Sequence, residues 1–93
     1  MTGTCRLCER IEQPLTAHHL IPRTLHKNKR AKEVFGMALM KKTVMICQPC
    51  HSQIHALYTE KELGWNFNTI ELLKAQPDVI KWIEWVRERP HWR

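Results

Sequence analysis

The pattern of apolar and polar positions in the first half of the chain favours short elements of mixed type. Residues 43–47 form an apolar, partly β-branched run that predicts a short strand. Residues 29–35 have helical character, and Gly36 is expected to end that helix. Residues 11–17 are few and contain Pro14, so they predict an extended arm that leads to the histidines after it. This half therefore predicts both strand and helix.

The second half of the chain has the periodicity of short helices. Pro49 suits a first helical turn, and the helix is expected to continue over residues 51–58. Thr59 and Glu62 have the spacing of a capping box for a following helix, and Gly64 is expected to end that helix.

Two further helices are expected near the end of the chain. Asn68 or Thr69 suits the N-cap of a short helix, and Asp78 suits the N-cap of a last helix over residues 79–88. One face of the last helix repeats apolar residues at helical spacing, which favours packing in the core. The members of this face are Val79, Trp82, Ile83 and Val86.

The cysteines suggest how so short a chain is stabilised. A chain of 93 residues buries only roughly two-thirds of its surface or less, so an additional stabilising site is expected. Cys5/Cys8 and Cys47/Cys50 form two Cys-x2-Cys pairs, which is the usual layout of a structural tetrathiolate zinc site rather than of disulfides. No apolar segment of signal-peptide length precedes Cys5, so a reducing, cytoplasmic location is expected. No apolar run approaches the roughly 20 residues that cross a bilayer, and no membrane partner is expected.

The charge distribution favours a polyanionic partner. Fifteen Lys and Arg against nine Asp and Glu give a formal net charge of +6. Residues 23–42 hold seven basic residues and a single acid, Glu33, which favours contact with nucleic-acid phosphates over a merely solvated loop. The basic residues of this connection are Arg23, Lys27, Lys29, Arg30, Lys32, Lys41 and Lys42.

Two histidine motifs flank the basic connection. His18 and His19 are adjacent and are followed by Pro22, while His51 and His55 lie four residues apart in a predicted helix. Adjacent side chains on a strand point to opposite faces, so a tandem pair can be divided between a metal ligand and a general base. Residues four apart on a helix share a face and can chelate one ion. The motifs therefore favour metal-assisted hydrolysis.

These motifs resemble the HNH endonuclease family with its ββα-metal fold, over residues 5–55. The resemblance implies that His18, His51 and His55 hold a catalytic divalent cation and that His19 activates water. The cysteine pairs are similar to the structural zinc site of many HNH proteins. An all-imidazole ligand set suits Zn2+, Ni2+, Co2+ or Mn2+ better than Mg2+, although the resemblance leaves all five open.

The sequence therefore predicts a single α+β HNH nuclease domain over residues 1–93. Residues 5–58 are expected to form the zinc-stapled ββα-metal core, and residues 59–93 a helical C-terminal extension. The expected activity is hydrolysis of DNA phosphodiester bonds with low sequence specificity; RNA as a substrate and the oligomeric state stay open. The family's central asparagine is replaced here, because Lys42 or Thr43 falls at its place.

Two alternatives to an enzyme stay open. A non-catalytic zinc-stabilised module would bind nucleic acid through the basic connection alone and would not need His19. A protein-interaction domain would use Trp85 and Trp92, which could instead stack on bases. His26 and His91 have no partner in either motif and are expected to be surface residues, although His26 lies within the basic connection and could contact phosphate.

Overall fold

The computed structural model describes residues 2–89, so the predictions for His91 and Trp92 lie outside the described residues. Over the described range the chain forms a small α+β fold, in which a three-stranded antiparallel sheet packs with five α-helices. The strands, in spatial order, are β1 (Thr2–Gly3), β2 (Gln13–His19) and β3 (Thr43–Cys47). The helices are α1 (Lys29–Met40), α2 (Gln48–Leu57), α3 (Glu60–Trp65), α4 (Ile70–Lys74) and α5 (Pro77–Arg87). A short 3-10 helix (Arg23–Lys27) precedes α1.

The pairing of β2 with β3 sets the position of both histidine motifs. The register places Leu15 opposite Cys47 and His19 opposite Thr43. The predicted extended arm is therefore a strand, and β3 has the predicted bounds. His18 is buried and His19 is half-buried, as expected for adjacent side chains on opposite faces of a strand.

Helix α1 is interrupted where the sequence predicts a break. The Asn28 side chain caps the helix by accepting a hydrogen bond from the Ala31 N–H at 2.9 Å. Gly36 has φ 76° and ψ 165°, a conformation that glycine adopts without the steric cost of a Cβ atom. The helix resumes after Gly36 and ends at Met40.

The caps of α3 and α4 agree with the sequence, but the predicted role of Gly64 is wrong. The capping box of Thr59 and Glu62 is present, and the Thr69 side chain accepts the Leu72 N–H. Gly64 lies inside α3 rather than after it. A Cβ atom there would lie 2.0 Å from Leu25 Cδ1, so the missing side chain lets α3 pack against the 3-10 helix.

The last helix begins earlier than predicted. Gln76 is its N-cap and Pro77 its first residue, so the prediction of Asp78 as the cap is wrong. Proline suits the first helical position because it lacks the N–H that would have no partner there, and Asp78 then faces the positive end of the helix dipole. The predicted apolar face is confirmed, since Val79, Ile83 and Val86 are buried and Trp82 packs partly against the core.

The buried residues form two clusters. The main core contains the four cysteines together with apolar side chains of the sheet, α2 and the C-terminal helices. A smaller cluster of Ile21, Leu25, Ala31 and Met40 lies beneath the 3-10 helix and α1, with Trp65 packed against it. Among residues 2–89 no helix combines the length and the apolar content needed to span a membrane.

Candidate metal sites

The four cysteines meet in one buried cluster, which we call the cysteine cluster. Cys5 and Cys8 come from the turn after β1, Cys47 ends β3, and Cys50 lies in the first turn of α2. All four are fully buried, and their Sγ atoms lie within 4.8 Å of one another. This cluster can hold a structural metal such as zinc, which prefers four thiolates in tetrahedral array.

Backbone donors surround the sulfur of Cys5. The N–H groups of Leu7 and Cys8 each donate to Cys5 Sγ at 3.4 Å, and the N–H of Cys47 donates to it at 3.2 Å. Such hydrogen bonds stabilise a thiolate and orient it toward a metal. They follow from the tight turn, because the turn brings the N–H groups of residues 7 and 8 back over the first sulfur.

Two side chains that the motifs did not reveal also donate to the sulfurs. Arg10, only 7% exposed, donates to Cys8 Sγ at 3.3 Å and to Cys47 Sγ at 3.2 Å. The Trp82 indole N–H donates to Cys50 Sγ at 3.3 Å and so ties α5 to the cysteine cluster. A buried guanidinium needs negative partners, which ionised thiolates supply.

The pKa values of the thiols show that the sulfurs compete for negative charge. Hydrogen bonds from Cys47, Cys50 and Cys8 lower the pKa of Cys5 well below its ordinary range. The hydrogen bond to Cys47 is the main cause that lowers the pKa of Cys8 to about 6. Contact with Cys5 raises the pKa of Cys47, and contact with Cys47 raises the pKa of Cys50. A bound dication would remove this conflict and let all four ionise.

Three histidines form a second group, which we call the histidine cluster. His18 comes from the end of β2, and His51 and His55 lie one turn apart on α2. One ring nitrogen from each lies within 4.8 Å of the others, and the ring centroids are 5.0 to 5.6 Å apart. His18 is buried, His51 half-buried and His55 exposed, so the cluster opens to the surface on one side.

His18 is the residue whose surroundings point to a ligand. It is 1% exposed, and neither Nδ1 nor Nε2 has a hydrogen-bond partner within the described chain. A buried polar atom left without a partner costs about 1–3 kcal/mol. Burial, followed by the nearby His51, His55 and His19, lowers the pKa of His18 to about 4, so the ring is neutral at physiological pH. A neutral imidazole with an unused lone pair fits a divalent cation.

A hydrogen-bond relay fixes the ring of His51. The Thr16 hydroxyl lies 3.2 Å from the Ile46 carbonyl oxygen and 2.8 Å from His51 Nδ1. The carbonyl can only accept, so the one hydroxyl proton goes to it, and Nδ1–H of His51 donates to the hydroxyl oxygen. His51 Nε2 then has a free lone pair, as a metal ligand requires. Thr16 shares its face of β2 with His18, which places it beneath α2.

His19 lies outside the histidine cluster but close to it. Its charge contributes to the lowered pKa of His51 after burial and His55. Its ring packs edge-on against His26, with centroids 5.9 Å apart. Burial, then His26 and Arg23, lowers the pKa of His19, which favours the neutral form of its ring.

His26, which the sequence predicts to be a surface residue, makes contacts that the sequence does not reveal. It is half-buried, and its Nε2–H donates to the Ile21 carbonyl oxygen at 2.8 Å. The 3-10 helix, which the sequence did not predict, turns the chain so that His26 meets His19. No spacing motif could have revealed this contact, because it depends on how the connection folds.

The seven basic residues of the connection are all exposed. They lie on the 3-10 helix, on α1 and on the turn before β3, while Glu33 is the acid among them. The Lys42 backbone carbonyl accepts the Leu20 N–H at 3.3 Å and so holds the end of β2 next to the start of β3. The positive residues are Arg23, Lys27, Lys29, Arg30, Lys32, Lys41 and Lys42.

Comparison with known proteins gives one informative relative. The chain is similar to the uncharacterized protein YisB of Bacillus subtilis (strain 168), with 40% identity over 90 residues. The match covers 97% of this chain and 79% of that protein. No family model matches the chain, and no solved structure matches it.

Proposed function

The chain belongs to the same family as the uncharacterized Bacillus subtilis protein YisB, and we propose that it is a metal-dependent endonuclease that hydrolyses DNA phosphodiester bonds. The observation that supports this most directly is His18, whose buried ring nitrogens have no hydrogen-bond partner among residues 2–89 and lie beside His51 and His55. The resemblance of residues 5–55 to HNH endonucleases assigns the same three histidines to a catalytic cation and His19 to water activation.

In this proposal His18, His51 and His55 would hold the cation through one ring nitrogen each. The bound cation would act as a Lewis acid on the scissile phosphate and its leaving oxygen. The donor set is all imidazole, so Mn2+, Co2+, Ni2+ or Zn2+ suits it better than Mg2+. Thr16 keeps His51 in the ligand tautomer, and the exposed His55 leaves the cluster open to substrate.

His19 would act as the general base. Its unprotonated ring nitrogen accepts a proton from a water molecule while the water oxygen attacks phosphorus. The bond between phosphorus and the 3′ oxygen breaks, and that oxygen takes a proton from solvent, which gives 5′-phosphate and 3′-hydroxyl ends. The edge-on contact with His26 limits the orientations of the His19 ring and so positions the base.

The exposed basic residues would contact the phosphates that flank the scissile bond. Lys and Arg neutralise phosphates without distinguishing bases, so this surface supports low sequence specificity. Arg23, the first residue of the 3-10 helix, is close enough to His19 to contribute to the lowered pKa of that histidine. In this proposal Arg23 would contact a phosphate close to the base.

The direct test is incubation of the purified protein with supercoiled plasmid, with and without EDTA, in the presence of Mg2+, Mn2+, Co2+, Ni2+ or Zn2+. We expect relaxed and linear products with at least one cation and none with EDTA. The His18→Ala variant is the control for contaminating nucleases. It should lose both plasmid cleavage and binding of the cation by the histidine cluster. A wild-type protein that binds only the cysteine-held ion and cuts nothing would instead be a non-catalytic zinc module.

A further inference from the structure

A cavity of about 400 Å³ lies between the start of α1 and α3, apart from both clusters of metal-binding side chains. It is lined by Asn28, Arg30, Lys61 and Trp65, and none of these four is acidic. Asn28 and Arg30 belong to the basic connection, and Lys61 and Trp65 come from the helical extension. The cavity thus joins the two parts of the chain that the sequence separates.

One wall of the cavity is close along the chain to the segment that contacts His19. His26, which contacts His19, is two residues before Asn28, and two residues span at most about 7.6 Å between Cα atoms. The other wall is held in place by Gly64, whose missing side chain lets α3 approach Leu25 of the 3-10 helix. The wall of the cavity that Asn28 forms is therefore two residues along the chain from the histidine that contacts His19.

The lining groups match the parts of a nucleotide. Arg30 and Lys61 are exposed cations suited to phosphate oxygens. Trp65 offers an indole for stacking, and its packing against Phe35, with centroids 5.1 Å apart, holds the ring in place. Asn28 uses its carbonyl oxygen on the Ala31 N–H, which leaves its amide N–H groups as donors to a ligand.

We propose that this cavity, which we call the strand subsite, binds one unpaired nucleotide of a DNA strand beside the scissile phosphate. The base stacks on Trp65, and its flanking phosphates contact Arg30 and Lys61. A base within a duplex has neighbours on both faces, so stacking on Trp65 selects single-stranded DNA. A volume of about 400 Å³ is near the lower end for small-ligand sites, which suits a single nucleotide. This inference rests on the proposed function.

The test measures binding by fluorescence anisotropy, with the zinc-loaded full chain and no added divalent cation. The probes are a labelled single-stranded DNA of about 12 nucleotides, within the site sizes of single-strand grooves, and the duplex of the same sequence. We expect Trp65→Leu to weaken single-strand binding about tenfold and duplex binding less than about twofold. Trp65→Phe keeps an aromatic face and should restore most of the affinity. Circular dichroism checks that each variant stays folded.

The cations of the strand subsite have a matched control. Lys61→Gln should lower the slope of log affinity against log salt by about 0.7 for single strands. Lys81→Gln removes an exposed lysine of α5, outside the cavity, and should leave that slope unchanged. Together these variants separate a local contact from the effect of net charge.

The proposal is overturned if Trp65→Leu binds the single strand as wild type does, or if it loses single strand and duplex equally. These results are distinguishable from failure of the proposed function. A protein that cuts plasmid while Trp65→Leu keeps full single-strand affinity is a nuclease without a strand subsite. A protein that cuts nothing but shows the selective loss has the strand subsite without the nuclease.

Discussion

The cysteine and histidine clusters draw on the same stretch of chain, yet their surroundings differ. Cys50 and His51 are consecutive in α2, but successive helical residues point about 100° apart, so one side chain joins each cluster. All four cysteines are fully buried, with backbone and side-chain donors around their sulfurs. The histidines range from buried His18 to exposed His55.

This difference separates a closed site from an open one. Structural metal sites are filled by four protein ligands, whereas catalytic sites use three and leave a position for water or substrate. The cysteine cluster offers four sulfurs in the core, and the histidine cluster offers three nitrogens at its edge. We therefore expect substitutions in the cysteine cluster to unfold the protein and substitutions in the histidine cluster to remove cleavage activity.

The largest expected effect is loss of the fold in Cys5→Ser. Structural zinc supplies folding free energy on the order of 10 kcal/mol, comparable to the whole stability of a small domain. Far-UV circular dichroism and a measurement of bound zinc should show an unfolded, zinc-free chain. His55→Ala is the control from the histidine cluster and should keep both the helix content and the zinc of the cysteine cluster. A folded Cys5→Ser protein without zinc would contradict the structural role.

The next largest effect is expected for His19→Ala. Removal of a general base costs about 10²- to 10⁴-fold in rate, so plasmid cleavage should fall by that factor. Affinity of the histidine cluster for its cation should change little, because His19 is not one of the three clustered ligands. Cation binding by calorimetry, measured beside cleavage, distinguishes this variant from His18→Ala, which should lose both. Undiminished cleavage by His19→Ala would refute its assignment as the base.

A smaller effect, on the metal affinity of the histidine cluster, is expected for Thr16→Val. Valine keeps the shape of threonine but cannot accept the His51 Nδ1–H, so the ligand tautomer loses its support. Second-shell changes of this kind cost about 10- to 100-fold in metal affinity. Titration with Co2+, followed by its visible absorption, should show this loss, and Thr16→Ser should recover most of the affinity.

The matched control for Thr16 is Thr43→Val, which changes an exposed threonine on the neighbouring strand β3. Its Co2+ affinity should equal that of the wild type. Equal Co2+ affinities for Thr16→Val and Thr43→Val would show that the Thr16 hydroxyl does not support His51 as a metal ligand.

The smallest expected effect is a loss of thermal stability in Trp82→Phe, which changes a contact of the cysteine cluster. This change removes the indole N–H that donates to Cys50 Sγ, and a single hydrogen bond is worth about 1 kcal/mol net. A loss of that size lowers Tm by roughly 4–8 °C in a domain of this length. Thermal unfolding should show this shift with zinc retained, and Trp85→Phe, at a 41% exposed position, should shift Tm less. Identical shifts in the two variants would argue against a role for the Cys50 contact.

The proximity of the residues within each motif could be predicted from their order along the chain. Cys-x2-Cys pairs and histidines four apart on a helix bring ligands together through local geometry, whatever surrounds them. The capping box at Thr59 and Glu62 and the strand over residues 43–47 depend equally on neighbours in the chain, and both are confirmed. Local rules suffice wherever the partners lie within a turn or a strand.

Contacts between distant segments had to come from the tertiary structure. Arg10 and Trp82 meet the same sulfur cluster from opposite ends of the chain, and His26 reaches His19 only because the connection folds into a 3-10 helix. Glycine often follows the end of a helix, yet Gly64 lies inside α3, where a Cβ atom would meet the Leu25 side chain. Long-range packing decides such pairings, since many sequences with the same local pattern would place these side chains elsewhere.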